Sequence, residues 1–127
     1  MLLDTHALLW FLNNDARLPK TTSQKIEEAE FVFVSIVSIW EIAIKANIGK
    51  LTLLTPFETI QANTIALNIR EIPISFEDTV TYHKLPLIQN HRDPFDRMLV
   101  SQAMTRSLVI VSVDSKLDVY PIQRVWE

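Results

Sequence analysis

The stretch FVFVSIVSIWEIAIKANIG, residues 31–49, joins a strand to a helix and decides the fold class. The run FVFVS is aromatic and β-branched, which is typical of a buried strand. A helix is predicted from about residue 37, and it ends at Gly49 because glycine readily adopts the left-handed conformation found after helix C-termini. Lys45 and Lys50 lie near that C-terminus and complement its partial negative charge. Residues 31–49 therefore predict one β–α unit.

The same alternation of strand and helix extends to both sides of this unit. Upstream, MLLD (1–4) predicts a short strand, and helices are predicted at 5–13 and 20–30. Downstream, strands are predicted at 72–75, 108–113 and 118–126, the last at a sheet edge, with helices at 56–69, 76–84 and 93–106. Buried strands that alternate with helices form parallel sheets covered on both faces. We expect one domain over residues 1–127, a three-layer α/β/α sandwich with a central, mostly parallel sheet.

The composition excludes several classes of protein. The chain has no cysteine, which excludes disulfides, zinc–thiolate sites and thiol catalysis. Gly49 is its one glycine, so the glycine-rich loops of P-loop and dinucleotide-binding proteins are absent. No signal peptide or apolar run of roughly 18 residues is visible, so we expect a cytoplasmic protein without membrane contact. The net charge of −3 predicts that any RNA contact relies on a few local cations or on bound metal.

Four acids are predicted near the carboxyl ends of strands, where ligands bind in such sheets. Asp4 closes the first strand, Glu41 lies on the helix of the unit above, Asp96 on the first turn of a later helix, and Asp114 follows the strand LVIVSV. Ordinary explanations exist for three of them: a helix cap for Asp4, an i,i+4 ion pair with Lys45 for Glu41, and a turn for Asp114. Glu41 is the most informative, because its helix is apolar nearly all round and should be largely buried.

Together, the four acids predict a cation site. Clustered carboxylates repel one another, and a divalent cation relieves that repulsion. Ligation by oxygen alone favours Mg²⁺, with Mn²⁺ as a substitute. Such a cation polarises a phosphoryl oxygen and activates water, so this set of residues indicates phosphodiester hydrolysis.

Other polar residues near the acids are candidates for supporting roles. Ser38 lies on the one polar stripe of the Glu41 helix, and Ser112 ends a buried strand. Asp93 directly precedes a proline at the first helical position, so it serves as a helix cap or supports the ligands.

Three cations close to the acids are candidates for binding RNA phosphates. Arg92 and Arg97 flank the turn that carries Asp96, and Lys45 lies one helical turn beyond Glu41. Ordinary surface charge or ion pairing explains each of these cations equally well.

Four stretches resemble the PIN-domain toxins called VapC, which are the ribonuclease halves of type II toxin–antitoxin pairs. These stretches are LLDTHALLWFL (2–12), SIVSIWEIAIK (35–45), HRDPFDRMLVSQA (91–103) and IVSVDSKLDVY (110–120). The resemblance implies that Asp4, Glu41 and Asp96 form the metal site and that Asp114 often joins it. Asp96 is preferred to Asp93 because DRMLVSQA aligns with the helix that an aspartate begins in this family.

The resemblance also implies Mg²⁺-dependent endonuclease action on RNA, homodimerisation and inhibition by a cognate antitoxin. Because the pocket is acidic, we expect the antitoxin to insert a basic segment, with arginine favoured for its planar, bidentate geometry. Leu9, Trp10, Phe11 and Trp40 could form a groove for an amphipathic partner helix, although core packing explains most of them.

Two other functions stay open. A metal-dependent phosphatase or phospho-acceptor domain also has an aspartate after its first strand. However, the haloacid-dehalogenase pattern requires a second aspartate where His6 stands, and the lysine of a receiver domain cannot be placed. The other alternative is a non-catalytic interaction domain of the same fold. An upstream reading frame encoding a small DNA-binding protein with a basic tail would favour the toxin.

Overall fold

Five parallel strands form the centre of the computed structural model, which describes all of residues 1–127. They are β1 (Leu2–Leu3), β2 (Val32–Ser35), β3 (Ile69–Ile72), β4 (Ile110–Val111) and β5 (Arg124–Val125). Their order in the sheet is β3-β2-β1-β4-β5, and every neighbouring pair is parallel. The chain therefore winds outward from β1 on one side and returns to β4 on the other. The carboxyl end of β1 is the point where strand order reverses, the usual ligand position in such sheets.

Six helices cover the two faces of this sheet. They are α1 (Thr5–Leu12), α2 (Lys20–Glu28), α3 (Ile36–Asn47), α4 (Ile60–Ala66), α5 (Phe76–Lys84) and α6 (Pro94–Arg106). Successive strand residues point to opposite faces, so Leu3 packs in the core that contains Leu8 of α1. Leu2 packs in a second core that contains Leu99 of α6. The two cores confirm the predicted three-layer α/β/α architecture.

Local signals set the ends of the long helices. Gly49, with φ of +76°, follows the end of α3 as predicted, in the left-handed conformation that glycine adopts without steric cost. At the start of α6, Asp93 accepts hydrogen bonds from the backbone N–H groups of Phe95 and Asp96, and Pro94 occupies the first turn. None of the helices combines the length and the apolar character that a membrane-spanning helix requires.

The segment between α3 and α5 differs from the prediction. The helix predicted at 56–69 is a 3₁₀ turn, Phe57–Thr59, followed by the short α4, and the strand predicted at 72–75 is β3 at Ile69–Ile72. Asn68 has φ of 59°, and this left-handed residue separates the helix from the strand earlier than expected. Pro73 has no N–H donor, so the ladder of hydrogen bonds cannot continue through it.

The last two strands are shorter than predicted. The run 108–113 pairs only at Ile110–Val111, and the run 118–126 only at Arg124–Val125, after a 3₁₀ turn at Ser115–Val119. The reason is the partner strand, because β1 offers only Leu2 and Leu3 for pairing with β4. The length of β4 is therefore set by the strand it pairs with and not by the length of its own apolar run.

Candidate active site

The topology brings the four predicted acids to one edge of the sheet. Asp4 follows β1, Asp114 lies beyond β4, Glu41 is on α3 after β2, and Asp96 is on the first turn of α6. Burial, together with the nearby charges of Asp93, Glu41, Asp4 and Asp114, raises the pKa of Asp96 to about 7. Because each of these carboxylates acts on Asp96, the four predicted acids form one cluster.

Asp4 is a helix cap and a member of the cluster at once. Its Oδ1 accepts a 2.8 Å hydrogen bond from the backbone N–H of Ala7, which begins α1. Burial raises the pKa of Asp4, Glu41 adds repulsion, and hydrogen bonds from Ser112 and Ala7 together with the charge of His6 oppose the rise. The cap holds one oxygen in a fixed direction, so the carboxylate is oriented before any ligand binds.

Glu41 is buried, as its apolar helix predicts, with 5% of its surface exposed. Its Oε1 accepts a 2.6 Å hydrogen bond from Thr5 Oγ1, and its Oε2 lies 2.7 Å from Lys45 Nζ. The hydrogen bond to Glu41 raises the pKa of Lys45, with further contributions from Asp93 and Asp96. Lys45 thus offsets part of the negative charge of the cluster, and the ion pair expected between Glu41 and Lys45 is present. Sequence patterns gave no reason to single out Thr5.

The two serines considered above differ in their surroundings. Ser112 is buried, lies close enough to Asp4 to lower the pKa of that carboxyl, and accepts a 3.0 Å hydrogen bond from the backbone N–H of Asp114. Asp114 in turn accepts a hydrogen bond from the N–H of Lys116. Ser112 therefore links two acids of the cluster. Ser38 is also buried, but its hydroxyl has no hydrogen-bond partner, so no contact ties it to the acids.

His91 is part of the site, although the pattern of acids did not point to it. It is 5% exposed, and its Nε2 lies 3.6 Å from Asp96 Oδ2. Candidate ligand atoms of His91, Asp96 and Asp114 lie within 4.8 Å of one another. The available signal was its position in HRDPFDR, two residues before Asp93 and five before Asp96. It lies in the loop before α6, where no periodic pattern predicts which way a side chain points.

Comparisons with known proteins show to which family the chain belongs. The family model described as "PIN domain" matches residues 1–122. The chain belongs to the PIN domain family. Ribonuclease VapC22 from Mycobacterium tuberculosis is 28% identical over 117 residues, which cover 92% of this chain and 88% of that protein. These matches confirm the predicted resemblance to VapC-like PIN domains.

A solved structure also shares the fold of this PIN domain. It is the crystal structure of VapBC2 from Rickettsia felis bound to a DNA fragment from their promoter. The match has a TM-score of 0.68 at 16% identity and covers 99% of this chain and 98% of the other. At this level of identity the similarity concerns the fold alone.

Arg97 does not occupy the position predicted for an RNA contact. Only 5% of its surface is exposed, and its Nη1 donates to Pro86 O at 2.9 Å and to Tyr120 Oη at 3.0 Å. Consecutive helical residues point about 100° apart, so Asp96 faces the acids while Arg97 turns into the protein. The prediction that Arg97 binds RNA is therefore wrong. Arg92 is exposed, and Lys45 is partly exposed beside Glu41.

The clustered side chains of this PIN domain fit a divalent cation. The donors are mainly carboxylate oxygens, which hard cations such as Mg²⁺ and Mn²⁺ prefer. The raised pKa of Asp96 reflects burial and crowding of negative charge that a bound cation would relieve.

Proposed function

We propose that this PIN domain, residues 1–127, is a metal-dependent endoribonuclease and the toxin of a type II toxin–antitoxin pair acting in the cytoplasm. The observation that carries the proposal is the cluster of acids at the switch point of the sheet. Asp4, Glu41, Asp96 and Asp114 would hold Mg²⁺, or Mn²⁺ in its place. When bound, the cation would supply Lewis-acid polarisation of the scissile phosphate and an activated water.

The chain's own contribution is to hold the carboxylates in fixed orientations. Thr5 and Lys45 bind the two oxygens of Glu41, and the N–H of Ala7 binds one oxygen of Asp4. Asp93 caps α6 and thereby fixes the turn that carries Asp96. Such pre-organised supports are worth about 10- to 100-fold in metal affinity or activity at other metal sites.

Metal-dependent cleavage of RNA tests the proposal directly. The purified protein should cut single-stranded RNA with Mg²⁺ or Mn²⁺, and excess EDTA should stop the reaction. A phosphomonoester offered in parallel tests the phosphatase alternative. Hydrolysis of the monoester without RNA cleavage would overturn the proposal, and activity on neither substrate would favour the non-catalytic interaction domain.

Arg92 is the cation that we expect to contact an RNA phosphate, because it is exposed and directly precedes Asp93. Replacing Arg92 by alanine should weaken RNA binding and reduce the slope of log affinity against log salt by about 0.7, the value for one lost contact to a single strand. Binding is measured in the Asp96→Asn background to prevent cleavage. Arg17→Ala is the control, since Arg17 pairs with Asp15 beyond the acidic cluster. An unchanged slope for Arg92→Ala would remove it from the interface.

Metal should stabilise the folded protein. A ligand that binds only the folded state raises the melting temperature, so millimolar Mn²⁺ should shift the melting curve upward. Asp4→Asn should melt higher than wild type without metal, because one repelling charge is gone, and respond less to Mn²⁺. The raised pKa of Asp96 means that folding disfavours its ionised form, so metal-free stability should fall as pH rises from about 4 to 7. A wild-type curve that Mn²⁺ does not move would contradict a metal site.

Exposed apolar side chains next to Glu41 and Asp96 in the sequence support the proposal that the chain binds protein partners. Trp40 is 58% exposed beside Phe95, and together they line a cavity of about 280 Å³. Phe76 and Leu87 are 82% and 89% exposed. We assign the surface around Trp40 and Phe95 to the homodimer and the acidic cluster to the basic segment of an antitoxin. Leu9 is buried in the core, as expected for most residues of the early helices, whereas Trp10 and Phe11 are partly exposed.

Expression in cells and light scattering test both partners. Wild-type protein expressed alone should arrest growth, Asp4→Asn should not, and a small basic-tailed protein encoded beside it should restore growth. Light scattering of the purified chain, alone and with that neighbour, should give a dimer and a larger complex. Harmless expression of folded wild-type protein would count against the toxin, and a monomer would contradict the homodimer.

A further inference from the structure

The loop residue His91 makes two different contacts through its two ring nitrogens. Nδ1 lies 2.8 Å from Tyr120 Oη, and Nε2 lies 3.6 Å from Asp96 Oδ2 with no hydrogen-bond partner of its own. His91 and Tyr120 are 5% and 3% exposed, so water cannot freely replace these contacts. The role of His91 thus depends on which nitrogen carries the proton.

The neighbours of Tyr120 determine that proton's position. Arg97 Nη1 lies 3.0 Å from Tyr120 Oη, and a guanidinium can only donate hydrogen bonds, so the phenol oxygen is an acceptor there. The phenol's own proton then requires an acceptor, which an unprotonated Nδ1 of His91 supplies. In the opposite tautomer, Nδ1–H and Arg97 would both donate to Tyr120, and the phenol proton would be buried without a partner. Leaving a buried donor unsatisfied is costly.

We propose that His91 is a positioning residue that presents Nε2–H to Asp96 and is not itself a metal ligand. An N–H aimed at Oδ2 orients the carboxylate and leaves Oδ1 free for a cation, as hydrogen bonds to ligating carboxylates do elsewhere. At 3.6 Å the contact is longer than a hydrogen bond, so the donation requires the Asp96 carboxylate to turn toward Nε2. The buried Arg97 acts through Tyr120: its hydrogen bond to the phenol oxygen directs the phenol proton toward Nδ1 of His91 and so places the imidazole proton on Nε2.

The inference rests on the proposed function but is tested partly without it. The ¹⁵N shifts of the His91 ring in metal-free protein, at about pH 8.5 and so above the usual titration range of imidazole, report the tautomer directly. We expect the Nε2–H form in wild type and a mixture of tautomers in Tyr120→Phe. An Nδ1–H ring in wild type would overturn the proposal and make His91 a candidate ligand. This result does not depend on whether the protein binds metal or cleaves RNA.

Variants then connect the tautomer to the metal site. Mn²⁺ affinity, measured by calorimetry, should fall about 10- to 100-fold in His91→Ala and by less in Tyr120→Phe. His91→Gln should recover part of the loss, because its terminal amide donates from about the position of Nε2, whereas His91→Asn should not. Tyr82→Phe is the matched control, since Tyr82 also packs against Arg97 but its hydroxyl makes no contact with His91.

Each outcome has a defined meaning. Equal Mn²⁺ affinity in wild type and His91→Ala would overturn the positioning role. A loss of Mn²⁺ affinity in Tyr82→Phe as large as the loss in Tyr120→Phe would overturn it as well. Wild-type protein that binds no Mn²⁺ would instead contradict the proposed function. Urea unfolding of every variant separates a lost contact from a lost fold, and Tyr120→Phe, which removes a single hydroxyl, keeps the test valid if His91→Ala does not fold.

Discussion

Replacing Asp96 by asparagine should strongly reduce RNA cleavage and leave the fold intact. Asparagine keeps the shape of the side chain but removes the negative charge that would attract a cation. Asp96 is the member of the cluster whose pKa is raised to about 7, by burial and then by four neighbouring carboxylates. Loss of the several kcal/mol that metal catalysis supplies corresponds to a rate about 100- to 1000-fold lower. Initial rates with Mg²⁺ on single-stranded RNA measure it, with circular dichroism to verify folding.

Asp93→Asn is the matched control for this experiment. Asp93 lies three residues away and is exposed, and its contacts are the hydrogen bonds that cap α6. Asparagine caps a helix about as well as aspartate, so we expect a rate loss below about 10-fold. Full activity in folded Asp96→Asn would refute the assignment of Asp96. Equal losses in both variants would mean that Asp96 has no special part in the site.

Asp78→Ala should destabilise the protein more than any other single loss of charge away from the acidic cluster. The Asp78 side chain is fully buried and binds Arg106 at 2.6 Å, Thr105 Oγ1 at 2.6 Å and the N–H of Ser75 at 2.8 Å. These contacts join α5 to α6. Removing one partner of a buried pair leaves the other uncompensated and costs about 3–5 kcal/mol. We expect the lower end, because Arg106 is partly exposed. Urea unfolding measures the difference.

The pH dependence of stability gives an independent check on Asp78. Burial alone would raise its pKa, but hydrogen bonds from Arg106, Ser75 and Thr105 hold the pKa well below its usual range. A lowered folded-state pKa contributes stability above the unfolded-state value of about 4 and loses it as pH falls further. Wild type should therefore lose stability below about pH 4, and Asp78→Ala should lose less. Asp118→Ala is the control, since its pair with Arg124 is exposed. Equal effects of the two substitutions would contradict the structural role of Asp78.

Local sequence signals were enough to predict the architecture and the acids. The Asp93–Pro94 start of α6 and the Gly49 end of α3 depend on backbone geometry within one helical turn. The alternation of apolar strands and helices predicts a parallel sheet, and its topology places residues that follow different strands at a common edge. For this reason Asp4 and Asp114, which are far apart in the chain, could be assigned to one cluster from their positions alone.

Strand boundaries and the surroundings of the acids required the tertiary structure. The run of six residues that ends at Val113 pairs over only two, since Leu2 and Leu3 are its only partners in β1. Likewise, the run predicted as a strand at 72–75 is displaced by Asn68 and Pro73. Pairing is a property of two segments, so neither segment alone determines its length.

The sequence alone determined that acids gather at the end of a parallel sheet, because caps, strand ends and helical periodicity are local. Only the tertiary structure decided which cations and hydrogen bonds contact these acids. Arg97 and Arg92 have the same charge and are five residues apart, yet one is buried against Tyr120 and the other is exposed. His91 and Tyr120 are 29 residues apart and meet through packing. Such contacts depend on the direction of each side chain in the folded protein, which no local pattern specifies.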